Sequence, residues 1–205
     1  MEYARVWNER YAAAGDSYVF GQAPNSFLAA QAARLKPGWR ALAVADGEGR
    51  NGVWLAEQGL DVHSIDISPV AQSKAARLAA ERGVAFTLDV VDMAAWDPPE
   101  AEYDVVAAIF IQFASPSLRK RIFDGIRRTV KPGGLVLVEG YTPRQLEYGT
   151  GGPRVLANLY DEAMVRDLFA GFEIVELKVY DAAIDEGPGH SGMSALIDLV
   201  ARRPR

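Results

Sequence analysis

The sequence has no cysteine, and only two of its 205 residues are histidine, His63 and His190. Without cysteine there is no disulfide framework, no thiolate zinc site and no cysteine nucleophile. The two histidines are far apart in the chain and form no HExxH-type ligand pair, so no metal site is expected. A dominant charge is also missing, since 22 Lys and Arg face 27 Asp and Glu for a net −5. That balance argues against a broad phosphate-gripping surface and therefore against a nucleic-acid partner. No run approaches the ~18 apolar residues of a membrane span, and the opening MEYARVWNER has no signal-peptide core. The expected setting is cytoplasmic, with no membrane partner. Repeats, low-complexity tracts and Pro-, Gly- or Ser-rich linkers are absent too. We therefore expect one domain over residues 1–205, with residues 1–38 as an N-terminal lid and helix region and 39–205 as the core.

What is present is alternation. Residues 40–45, 61–66, 84–90, 103–111 and 134–141 read as short apolar strands. Between them lie helical patterns, one opened by Ser68-Pro69 and one by Ser115-Pro116, each a good N-cap and first-turn pair. Residues 25–35 read as a helix capped by Asn25. Strands apolar on both faces and separated by helices predict a doubly wound, mostly parallel α/β sheet. After residue 171, FEIVELKVYDA and MSALIDLVARR have no helix between them, so they pair as an antiparallel hairpin. The expected sheet has seven strands.

The strongest local motif is ALAVADGEGRNG, residues 41–52, in which Gly47, Gly49 and Gly52 satisfy G-x-G-x-x-G after the first strand. Glycine lets the chain turn sharply and approach a ligand that a Cβ would obstruct. Asp66 ends the second strand, where a carboxylate can accept hydrogen bonds from both hydroxyls of a ribose. Taken singly, each feature also fits a plain strand–helix turn and a capping aspartate. Together they predict a nucleoside cofactor, NAD or S-adenosylmethionine. None of the eight tyrosines has Lys four residues later, so the Tyr-x-x-x-Lys pair of many reductases is absent. Asp92, just beyond the third strand, is placed to accept from an adenine amino group, although it fits a helix cap as well. Lys131-Pro132-Gly133-Gly134 leads into the fifth strand.

With the ADGEGRN loop, Asp66, Asp92, KPGG and the final hairpin, the chain resembles class I S-adenosylmethionine-dependent methyltransferases, whose sheet is Rossmann-like. WNERYAAAGDSYVFGQAPNSFL is similar to the N-terminal segment of the tellurite-resistance and thiopurine-type small-molecule branch. The resemblance implies that the backbone around Ala45, Gly47 and Gly49 passes beneath the methionine part of S-adenosylmethionine, with Asp46, Arg50 and Asn51 also binding the cofactor. It further implies that Asp66 and Ile67 hold the ribose and flank the adenine, and that Asp92 and Met93 cover the adenine edge. Ile109, Phe110, Ile111, Gln112 and Phe113, at the end of the fourth strand, would face both cofactor and acceptor, although the apolar members fit a core as well. One departure is clear. Ala43 stands where many members carry an acidic residue, leaving Asp46 or Glu48 as substitutes.

The acceptor side carries fewer signals. Trp7, Tyr11, Tyr18 and Phe20 suit a lid, or equally an amphipathic segment packed on the sheet. Glu139, Tyr141 and Arg144 follow the fifth strand, residues 148–153 read as a mobile loop, and His190 sits in the hairpin connection. Glu139, Tyr141 and His190 are the candidate catalytic groups. His190 can serve as a base titrating near ~6.5, or lie in a surface turn. Asp97-Pro98-Pro99-Glu100 resembles the Asp-Pro-Pro-Tyr signature of amino-group DNA methyltransferases, but it precedes the fourth strand and lacks the aromatic. The expected activity is methyl transfer to a small molecule, such as a thiol or metalloid oxyanion, by a monomer or weak homodimer. The alternatives are an NAD(P)-dependent reductase and a non-catalytic nucleotide-binding module.

Overall fold

A computed structural model describes residues 2–205. Helices α1 (Glu2–Ala13) and α2 (Ser26–Ala30) precede strand β1 (Arg40–Val44). Then follow α3 (Arg50–Glu57), β2 (Asp61–Asp66), α4 (Pro69–Glu81), β3 (Thr87–Val90), β4 (Tyr103–Ile109), α5 (Pro116–Thr129) and β5 (Val130–Tyr141). Helices α6 (Gln145–Tyr148) and α7 (Glu162–Leu168) lead into β6 (Glu173–Asp185) and β7 (Ser191–Arg202). The strands form one sheet in the order β3-β2-β1-β4-β5-β7-β6. All pairings from β3 to β5 are parallel, and β7 runs antiparallel to both β5 and β6. The doubly wound sheet and its closing hairpin are as the sequence predicts.

Side-chain alternation divides the core between the two faces of the sheet. Leu42 and Val44 of β1 join Val106, Ile122, Phe123, Ile126 and Phe169 under α5 and α7. Ala41 and Ala43 join Val105, Leu55, Phe27 and Leu28 on the face of α2 and α3. The expected caps form: Asn25, Ser68 and Ser115 accept from the backbone N–H of Leu28, Ala71 and Leu118.

Several boundaries differ from expectation, each for a local reason. The helix expected over 25–35 stops at Ala30 and resumes as a 3-10 turn, Ala32–Arg34. The Gln31 side chain turns back to the Phe27 carbonyl and accepts from Arg34, replacing helical continuation. β3 begins at Thr87 rather than 84, because Val84 and Phe86 pack under α3 and α4 with Val53 and Leu78. β1 and β4 end early where Ala45 and Phe110 take φ of +50° and +55°. β5 begins at Val130, ahead of the expected 134. Because strand order reverses between β1 and β4, a crevice opens at their carboxyl ends, the usual ligand position in such sheets.

Candidate active site

A cavity of about 310 Å³ occupies that crevice. One end is built by the loop after β1. Gly49 takes φ +86°, and a Cβ there would lie 2.5 Å from the Ala75 Cβ, so only glycine lets the loop sit against α4. Ala45 and Phe110 are non-glycine residues in the left-handed region, and both line the cavity. Such backbone costs of order 1–3 kcal/mol and concentrates at ligand clamps.

Carboxylates order this end. Asp66 accepts from Gly47 N at 2.9 Å through one oxygen and from Ser68 N at 2.8 Å through the other. Each oxygen keeps acceptor capacity toward the cavity. Burial raises its pKa, while the backbone N–H groups of Ser68, Gly47 and Ile67 oppose the shift. Asp46 accepts from Gly52 N and Ser64 Oγ, both at 3.0 Å, through a single oxygen. Desolvation outweighs those bonds and pushes its pKa up to about 7. Asp92, exposed, accepts from Ala94 N at 2.9 Å in a local turn on the cavity rim. Glu48 also borders the cavity, but its carboxylate is committed to buried Lys74 at 2.8 Å and to Val19 N. Of the two substitutes for the acid missing at Ala43, only Asp46 is free to face a ligand.

Lys74 also donates to the carbonyls of Tyr11 and Ser17, at 2.9 and 2.8 Å. That ammonium latches the N-terminal segment to α4 and brings α1 over the opening. Trp7, Tyr11 and Phe20 line the cavity. Tyr18 does not. It packs outside, against Val53, Leu78 and the cations of Lys74 and Arg77.

The far end is aromatic. His190 lies with its ring centroid 4.6 Å from Phe20, 4.3 Å from Phe110 and 5.8 Å from Tyr141. It is 8% exposed, so the surface-turn alternative is excluded. Its Nδ1 and the Tyr141 hydroxyl are both buried without a hydrogen-bond partner among the described residues. Burial and the Arg50 charge lower the imidazole pKa to about 3. The expected titration near 6.5 is therefore overturned, and the ring is neutral at working pH. Burial also raises the Tyr141 phenol above its ordinary value.

Three expectations need correction. Glu139 does not reach the cavity. Its carboxylate accepts from Asn25 Nδ2 and opposes Asp198 across the β5–β7 register, so it belongs to a buried polar cluster behind the wall. Burial, with Asp198 and Glu186 nearby, holds its pKa well up. Gln112 lines the cavity, but its amide donates to the carbonyls of Tyr141 and Asn158 and accepts from Tyr141 N. It braces the end of β5. The loop over 148–153 is tethered rather than loose: Gln145 bonds Thr150 and Gly151, Thr150 bonds Met193 O, and Gly151 bridges to His190.

Ala45, Asp46, Gly47, Arg50, Asn51, Asp66, Ile67, Asp92, Met93, Ile109 and Gln112 all border this cavity, with Tyr141 and His190; Gly49 shapes the loop from behind. Sequence reasoning missed Tyr3 and Arg10 in the lining, and the ion pair of Arg50 with Glu186 at 2.7 Å behind it. A helix over residues 2–13 would have placed Tyr3, Trp7, Arg10 and Tyr11 along one side. Glu186 had no sequence signal. No group of three or more potential metal ligands occurs among the described residues.

Residues 41–134 match the methyltransferase domain family. An uncharacterized protein of Mycobacterium tuberculosis is 30% identical over 121 residues, 58% of this chain and 43% of that protein. The chain thus spans under half the length of the curated relatives it matches. TehB from Haemophilus influenzae superposes with a TM-score of 0.73 at 16% identity, covering 96% of this chain and 67% of TehB. The N-methyltransferase NodS from Bradyrhizobium japonicum, in complex with S-adenosyl-L-homocysteine, gives 0.74 at 14% identity and 98% coverage of each chain. A protein from echinomycin biosynthesis, where a disulfide bond is converted into a thioacetal group, gives 0.77 at 20% identity, covering 98% of this chain and 91% of its own. The chain is thus similar to the methyltransferase domain family over residues 41–134, and its sheet shares the fold of these solved structures.

Proposed function

We propose that this chain is an S-adenosylmethionine-dependent methyltransferase acting on a small-molecule acceptor, as a monomer or weak homodimer in the cytoplasm. One observation carries the reading: a single cavity joins a carboxylate-ringed glycine loop to an aromatic chamber holding two unpartnered buried polar groups. The residues fit the cofactor. A Cβ at Gly47 would fill the cradle, 2.7 Å from the Tyr11 hydroxyl. Asp66 offers two oxygens to a ribose, Met93 and Ile67 offer apolar flanks to an adenine, and Asp46 offers a charge to the cofactor's ammonium group.

The cofactor supplies a sulfonium whose methyl group is already electrophilic. The protein's part is to hold an acceptor lone pair in line with the sulfur–methyl bond and exclude water, worth up to ~7–11 kcal/mol in favourable cases. Strong base assistance is not supported by this chamber. Neutral His190 is a weak base, Tyr141 stays a phenol, and Glu139 lies behind the wall. This supports a soft acceptor, a thiolate or reduced metalloid anion, whose lone pair is free near neutral pH. His190 and Tyr141 then orient it by hydrogen bonding. An ordinary hydrogen bond contributes about 0.5–1.5 kcal/mol, so His190→Ala is expected to slow methyl transfer about tenfold at most, with no limb near pH 6.5. A hundredfold loss for a thiol acceptor would restore general-base catalysis.

The test of the whole reading is binding. S-Adenosylhomocysteine keeps every nucleoside contact, and at a hundredfold excess over its Kd it is expected to stabilise the fold by ~2.7 kcal/mol. NADH is expected to leave the melting temperature unchanged. An unmoved transition with S-adenosylhomocysteine would remove the methyltransferase reading, and a shift with NADH alone would install the reductase.

A further inference from the structure

We infer that Arg10 is an acceptor-binding residue and that the acceptor is a flat molecule carrying a carboxylate or similar oxyanion. The inference rests on the methyltransferase reading and adds the substrate class to it.

The charges around the cavity account for one another with one exception. Arg50 is neutralised by Glu186, and Glu48 by Lys74. Asp46, Asp66 and Asp92 serve the cofactor end and are acidic. Arg10 is the remaining cation of the lining, and among the described residues it has neither a carboxylate nor a carbonyl partner. Its guanidinium lies 5.2 Å from the Trp7 ring centroid and 4.9 Å from that of Phe20. Two aromatic faces hold the group in place without using its N–H donors. Those donors remain for a ligand.

Position assigns the ligand to the acceptor rather than the cofactor. A Cβ on Gly189 would lie 3.2 Å from Arg10 Nη2 and 2.4 Å from Phe20, so the guanidinium borders the β6–β7 turn. The next residue of that turn is His190, whose ring packs between Phe20 and Phe110. Arg10 thus stands at the rim of the aromatic chamber. Rings on the walls select a flat apolar body, and a fixed guanidinium fork selects a planar anion by bidentate hydrogen bonding. The two requirements describe one molecule.

The test uses a matched pair of probes, 4-mercaptobenzoate and 4-methylbenzenethiol, which share ring and thiol and differ in the carboxylate. Both are titrated calorimetrically into the S-adenosylhomocysteine-loaded chain and into the unloaded chain. The carboxylate probe is expected to bind at least about tenfold more tightly, as for hydrogen bonds between charged groups. Arg10→Gln is expected to erase that preference while leaving 4-methylbenzenethiol and S-adenosylhomocysteine affinities unchanged, and Arg10→Lys to restore part of it. Equal binding of the two probes, no binding of either, or a preference that survives in Arg10→Gln would overturn the assignment. So would a loss of S-adenosylhomocysteine affinity in Arg10→Gln, which would put the guanidinium on the cofactor's own carboxylate. Failure of the unaltered chain to bind S-adenosylhomocysteine sinks the methyltransferase reading instead, and the unloaded titrations still judge Arg10.

Discussion

Glu186→Gln is expected to destabilise the protein by about 3–5 kcal/mol, the usual cost of removing one partner from a buried ion pair. Both side chains of the Arg50–Glu186 pair are only 6% exposed, so water cannot compensate the guanidinium left behind. Glu186 also accepts from Ser26 N at 2.8 Å and from Asn25 Nδ2 at 3.1 Å. The substitution therefore loosens the start of α2 as well. For a chain of this size each kcal/mol moves Tm by about 2–4 °C, so the transition is expected about 6–20 °C lower. Calorimetry checks it, and a Tm within two degrees of the parent would show the pair to be hydrated. Replacing both partners with apolar residues, Arg50→Met with Glu186→Leu, is expected to recover much of the loss, because no charge is then stranded.

Cofactor binding is expected to weaken as pH falls below 7, and the cause is Asp46. Its pKa of about 7 means that the empty protein increasingly holds a proton there in acid. A cationic ligand needs the ionised form, so binding must first expel that proton. The apparent Kd for S-adenosylmethionine is expected to rise about tenfold by pH 6 relative to its high-pH limit, and about a hundredfold by pH 5. Asp46→Asn is expected to bind weakly and almost independently of pH. Isothermal titration at several pH values checks both, and the release of close to one proton per ligand at pH 6 checks the cause. A parent Kd that is flat from pH 5 to 8 would take Asp46 off the cofactor. Removing the amino acid part supplies a control: 5′-methylthioadenosine has no ammonium group and is expected to show no such slope.

The sequence was most readable where local chemistry dictated local structure. Ser68-Pro69 and Ser115-Pro116 start their helices, and the glycine loop and Asp66 meet through the Gly47 N–H. Alternating apolar strands produced the sheet, and the absence of a helix between its last two produced the antiparallel hairpin. Legibility failed where long-range packing decided. Tyr18 and Phe20 are two residues apart, yet Lys74 and Arg77 draw one to α4 while His190 and Arg10 hold the other in the cavity. Glu139 points to the face of the sheet that meets Asn25 and Asp198, a choice fixed by the β5–β7 register. His190 was legible as a residue of the hairpin turn but not as a buried one, because Phe20 and Phe110 come from two other segments.

The position of β7 between β5 and β6 governs how this protein is made. The chain leaves the ribosome in order, so β5 emerges while its outer neighbour is still unsynthesised. Its backbone then forms a bare sheet edge, with Leu135, Val136, Leu137 and Val138 along it, the kind of edge that recruits other chains. Arg50 waits for Glu186, 136 residues later, which at synthesis rates of ~5–20 residues per second is roughly 7–27 s. Until then the cavity lacks His190 and part of its wall. Nascent chains stalled before β7 are therefore expected to be clients of holding chaperones, and only release of the last strand closes the sheet around a usable site.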